Sequence, residues 1–228
     1  MAHETAEIAG TSIVLLGKFD PAAAQPKTLV EKGLLRSDDL ATLVMQVVLP
    51  DVVAFTVDWM SASFEPNRAM VSTNPKKPMA EPVRDFILDI VEEMSSHAVE
   101  AFGINNDYHF AAQTMEVWHE VGHALVPKDP LWTKVSKNPG LLSLSIRGER
   151  DDGHRGYVQI KVEPSLQIPN GIYVQVNDHF TRPDGSAPND PAMPLLKVIE
   201  DEWTNCLRRA DIIIQGVRAL AVGEESNG

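Results

Sequence analysis

Between Leu141 and Asn177 hydrophobic and polar side chains alternate three times over. Leu142, Leu144 and Ile146 fall on one side of the first run, Val158, Ile160 and Val162 on one side of the second, and Ile172, Val174 and Val176 on one side of the third. A period of two fits only a strand with one buried and one wet face. The three runs, 141–147, 157–163 and 171–177, therefore predict an antiparallel sheet, with a turn at Asp151-Asp152-Gly153 between the first two. From Pro194 to Leu220 the period changes. Leu196, Ile199, Trp203, Cys206, Ala210, Ile213, Val217 and Leu220 recur in steps of three and four, which predicts one long helix. The seam suits a coiled-coil homodimer. Ile212, Ile214 and Val198 widen it, which favours a helix laid across the sheet with Trp203 as its anchor.

The earlier part of the chain has a related order. Residues 12–19, 45–49, 53–59 and 68–73 read as strands, 26–35 as a short helix and 81–97 as a longer one. Residues 99–104 read as a strand, with Phe110 as a candidate for its end, and 114–126 as a helix stopped by Pro127. Each half thus reads as strand, helix, several strands, helix. The offset is about 86 residues when Gly17 is set against Gly103. The predicted class is α+β: a duplicated unit over 10–98 and 99–221 forming one continuous body, with polar tails at 1–9 and 222–228.

Composition narrows the function. Hydrophobic residues at 43% support a sizeable core, and charged residues at 23% are ordinary for a globular chain. The formal net charge is −12, shared by both halves: 8 basic against 14 acidic side chains in 1–98, and 12 against 18 in 99–228. This acidity argues against nucleic acid or an anionic membrane as the main partner. Without an apolar run of membrane length or an apolar leader after Met1, and with one cysteine, Cys206, the expected location is the cytoplasm. Cys206 occupies an apolar helix position, so it reads as core packing.

The one stretch that spells a chemistry is His119-Glu120-Val121-Gly122-His123, an H-E-x-x-H sequence. On a helix both imidazoles share a face and could bind one Zn²⁺, with Glu120 as general base on a metal-bound water. Asp129 is the best third ligand within reach of the motif, and a zinc-dependent hydrolase follows if it serves. Against this, Glu116, His119, Glu120 and His123 form a polar stripe opposite Met115, Trp118, Val121, Gly122 and Leu125, as on any amphipathic helix. The expectation is a solvated stripe, no metal and no catalytic residue.

A recognition surface is the better candidate. The wet face of the C-terminal strands carries Arg147, Tyr157, Gln159, Lys161, Tyr173, Gln175 and Asn177, whose rings, amides and forked donors suit a protein or peptide partner. A small-ligand pocket between sheet and long helix is a further reading. Two similar stretches, Asn106-Asp107-Tyr108-His109-Phe110 and Asn177-Asp178-His179-Phe180, read as turns that end strands, since Asn-Asp favours turns.

The element order resembles the TATA-box-binding-protein fold, a duplicated unit with a curved antiparallel sheet and helices on one side; a helix-grip fold is the alternative. The resemblance is one of topology and implies no function. The stretches GKFDPAAAQP (17–26), FGINNDYHF (102–110), VEPS (162–165) and GIYVQVNDHF (171–180) resemble an uncharacterised, sporadically distributed bacterial family. That resemblance implies a bacterial cytoplasmic protein and no particular catalysis.

Overall fold

A computed structural model describes residues 7–49, 51–93, 99–182 and 195–222. The strands are β1 (Glu7–Gly17), β2 (Val44–Leu49), β3 (Val52–Thr56), β4 (Met60–Glu65), β5 (Arg68–Thr73), β6 (Val99–Ala111), β7 (Leu144–Glu149), β8 (Gly156–Pro164) and β9 (Gly171–Thr181). The helices are α1 (Pro26–Glu31), α2 (Ala80–Glu93), α3 (Met115–Leu125) and α4 (Leu195–Ala221). All nine strands join one open antiparallel sheet in the order β2-β3-β4-β5-β1-β6-β9-β8-β7.

The alternation in sequence decides which face is covered. In β4 and β5, Met60, Ala62, Phe64, Ala69 and Val71 are buried, while the intervening Ser61, Ser63 and Met70 are half-buried. In β9, Ile172, Val174, Val176, Asp178 and Phe180 are buried, and Tyr173, Gln175, Asn177 and His179 face the other way. Helix α2 packs on β1 and β5, α4 on β6 and β9, and α3 against α4. All the helix packing falls on the apolar side, where it removes nonpolar surface from water.

The apolar stripe of α4 is used within its own chain. Leu195, Val198, Ile199, Trp203, Cys206, Ala210, Ile214, Val217 and Ala221 are buried, while Ile212 is 64% exposed. Sheet packing therefore replaces the coiled-coil reading of this stripe.

Other expectations need correction. Strand β4 lies in a stretch left unassigned by periodicity. Its partners, β3 through Phe55↔Ala62 and β5 through Ala62↔Val71, make it a full central strand. Residues 7–9 belong to β1 and not to a tail: Glu7 pairs with Phe110, accepts a hydrogen bond from Tyr108 Oη at 2.5 Å and is bridged to Arg218. Neither Asn-Asp stretch is a turn. Both lie inside the neighbouring strands β6 and β9, where 106–110 pair with 172–176 and 177–180 pair with 102–105. The predicted end of α2 at 94–97, the tail at 223–228 and Pro194 fall outside the described residues. No helix among the described residues is long and apolar enough to cross a membrane.

Candidate functional site

With every helix on one side, the other face of the sheet is open. Its floor is built from residues that alternate with the core: Ser12 and Val14 of β1, Met70 and Ser72 of β5, Gly103, Asn105, Asp107 and His109 of β6, and Tyr173, Gln175, Asn177 and His179 of β9. Two hollows lie on it, of about 480 Å³ and about 350 Å³. They share Ser12, Met70 and Asp107, so they form one depression across β5, β1, β6 and β9.

Asp107 organises the floor. Tyr173 Oη donates to its Oδ1 at 2.5 Å, and Gln175 Nε2 donates to the same oxygen at 2.8 Å. Burial, reinforced by this carboxylate, holds the Tyr173 phenol far above its ordinary pKa, so it stays a neutral donor. Beside it the His109 ring lies 4.7 Å from the Tyr173 ring. The two nitrogens of His109 meet Ser165 Oγ at 2.9 Å and Gln167 Nε2 at 3.2 Å. Burial lowers the His109 pKa, against the opposing pull of Asp107. Ser165 Oγ also accepts the backbone N–H groups of Gln167 and Ile168 at 3.1 Å each. Ser165 Oγ thus holds the turn after β8 as well as meeting His109.

The β7–β8 side forms a rim. The Arg147 guanidinium sits 4.0 Å from the Tyr157 ring centre, and Tyr157 stacks on His179 at 4.5 Å. Burial, then Arg147 and Arg150, lower the His179 pKa. Arg147 Nη2 donates to Gln159 Oε1 at 2.9 Å, and Lys161 pairs with Glu163 at 2.9 Å. Arg147, Tyr157, Gln159, Lys161, Tyr173, Gln175 and Asn177 thus stand on one open face. At its centre Asn177 Oδ1 is buried with no hydrogen-bond partner among the described residues. A Cβ on Gly103 would lie 3.2 Å from that oxygen, so the glycine leaves it room.

The structure adds Asp107, His109, His179, Asn105 and Ser12 to the predicted surface. The first three belong to the two Asn-Asp stretches, whose likeness was a legible signal. Ser12 gave none, because only the β1–β6 register brings it beside Asn105, whose Nδ2 lies 3.4 Å from Ser12 Oγ.

The H-E-x-x-H helix stands apart from this face. Thr114 caps α3, its hydroxyl accepting from Val117 N at 3.2 Å. Glu116, His119, Glu120 and His123 are exposed, Val121 is buried, and Trp118 Nε1 donates to Gly171 O at 3.0 Å. Met115, expected on the packed side, is 46% exposed. A cleft beside His119 and His123 measures about 40 Å³, room for roughly one water. Asp129 instead accepts from Thr133 Oγ1 at 2.7 Å. Among the described residues no three His, Cys, Asp or Glu side chains are grouped to hold a metal ion. Among the described residues the Zn²⁺ alternative with Glu120 as base finds no third donor beside His119 and His123.

Asp178, the Asp of the second Asn-Asp stretch, faces the helices. Fully buried, it pairs with Arg150 at 3.1 Å and with Arg209 of α4; both arginines also pair with Asp152. Burial pushes the Asp178 pKa up while Arg209 and Arg150 pull it down. This network ties the β7–β8 turn to α4. Beside it, burial pushes the Cys206 thiol up to about 12, which leaves it an unreactive packing group.

No model of a known protein family matches this chain, and no curated protein matches its sequence at a significant level.

Proposed function

We propose that this chain is a non-enzymatic binding module that takes a polypeptide segment across the open face of its sheet. The observation that carries the reading is the joined depression over β5, β1, β6 and β9, floored by polar side chains already held in place by one another. Preordered Tyr, Gln and Asn side chains give contact area and hydrogen bonds at low entropic cost on binding. Asp107 and Glu163 at the depression, on a chain of net charge −12, favour a neutral or basic segment.

The finer architecture belongs to the same proposal. From the central β1–β6 pair the order runs outward as β5-β4-β3-β2 on one side and β9-β8-β7 on the other. That mirrored order supports a duplicated unit of the TATA-box-binding-protein type, one strand shorter in the second half. Such a module keeps the saddle and exchanges a nucleic-acid surface for a protein-binding one. The resemblance to a bacterial family and the single cysteine support a cytoplasmic setting.

Capture from the native cell tests the reading. The wild-type chain and a bait carrying Arg147→Ala and Tyr157→Ala, which removes the stacked rim pair without adding acidic groups, are compared. Both substitutions lie on the rim, so melting should stay within a few degrees of wild type. Retention of a specific partner should fall about tenfold or more; a partner held equally by both baits contradicts the proposed face.

A further inference from the structure

The two edges of the sheet are built differently. At β7 the edge carries Arg147 and Glu149, charges of the kind that keep an exposed strand from pairing with another chain. At β2 there is no such guard. From Leu40 to Pro50 the chain has no charged residue (LATLVMQVVLP). All six residues of β2 are exposed although five are apolar: Val44, Met45, Val47, Val48 and Leu49. Leu40 beside them is 40% exposed.

Both faces of β2 are apolar. Met45 and Val48 stand opposite Phe55 and Val53, on the core side, beyond the reach of the helices that cover the centre. Val44, Val47 and Leu49 stand opposite Thr56, Ala54 and Val52, on the open side. A register shift between Met45 and Val47 takes Gln46 out of the pairing, and its Nε2 donates to Thr56 Oγ1 at 2.9 Å. The side chains of β2 are thus apolar above and below a backbone paired along one edge only.

We propose that β2 pairs antiparallel with β2 of a second copy of this chain, joining two sheets across a two-fold axis. Charge selects this occupant. A basic or acidic partner would call for opposite charges at the edge, and there are none. A chain of net charge −12 repels its own copy overall, and an uncharged seam such as β2 adds no local repulsion to that. Closure selects the symmetry. Pairing of β2 with the edge β7 would run head to tail without end, and Arg147 and Glu149 oppose it; pairing of β2 with itself closes at two copies. Six residues give a seam about 20 Å long, covered on both faces by valine, leucine and methionine. The joined sheet would carry two open recognition faces on one side.

Sedimentation velocity over a concentration series tests this on the full chain. The wild type should sediment as a dimer of 25.1 kDa chains that dissociates on dilution. Val47→Lys with Val48→Lys places one charge on each face of the strand. It should raise the dimer dissociation constant by about 100-fold or more, with an unchanged far-UV spectrum because both positions are exposed. The acidic counterpart, Val47→Glu with Val48→Glu, should also be monomeric, and mixing the two variants should restore a dimer. A wild type that stays monomeric at about 100 μM overturns the proposal. So does a dimer that survives both double substitutions, or a mixture that stays monomeric.

Discussion

Asp39 shows how a single carboxylate ties a loop to the sheet. It is 5% exposed, accepts from the Arg36 backbone N–H at 3.0 Å and from Arg36 Nη2 at 2.8 Å, and takes Trp59 Nε1 at 3.2 Å. The Arg36 hydrogen bond holds its pKa below the ordinary carboxylate value. A depressed folded-state pKa stabilises the fold fully above the unfolded value, and the gain is lost as pH falls through the folded one. Asp39→Asn should therefore cost about 1 kcal/mol at pH 7, or about 2–4 °C in melting temperature. The gap from wild type should close as pH drops below about 4; a gap independent of pH contradicts the assignment. Other polar residues were legible by type and not by role. Asn106 and Asp178 read locally as turn formers. In the fold, Asn106 Oδ1 accepts from Thr11 Oγ1 at 2.9 Å and Asp178 meets two arginines. These partners lie far away in sequence, and they supply the bonds a turn would otherwise have given.

Among the elements, period two located β3, β5, β8 and β9, and the period near 3.6 located α2, α3 and α4. Strand β4 obeys the same alternation, but its MSASFE sequence is rich in serine and alanine, which have little strand preference of their own. Its place comes from neighbours on both sides. The lengths of β6 and β9 were hidden for the same reason as the roles of their Asn and Asp residues. Only the ladder from Ala101↔Thr181 to Ala111↔Gly171 explains how so many polar residues remain extended. The start of β8 depends on one glycine. Gly156 has φ +139°, and a Cβ there would fall 1.9 Å from the His179 carbonyl oxygen. Gly156→Ala should cost about 2 kcal/mol or more. Gly148→Ala, with no heavy atom within 4 Å of its Cβ, should melt within about 1 °C of wild type. Equal melting of the two variants contradicts a backbone that only glycine permits.

For the whole molecule, the α+β class and the one-sided packing follow from the sequence, because alternating strands beside amphipathic helices must bury one sheet face and leave the other wet. The seven surface residues proposed from the C-terminal strands share that face. The first half's contribution was not legible. Ser12 and Met70 join the depression only through the registers β1–β5 and β1–β6, which no local pattern encodes. The H-E-x-x-H stretch, the most suggestive motif in the chain, folds as the exposed stripe of a short helix on the other side.

The central claim is that the open face is where a partner docks, and a photoreactive phenylalanine analogue in place of Tyr173 tests it most directly. The substitution keeps an aromatic ring on the floor of the depression, and the same analogue in place of the exposed Ile212 on α4 reports the opposite side. Irradiation in the native cell should give a discrete cross-linked product from position 173 and none from position 212. A product from position 212 alone, or equal products from both, would contradict the account.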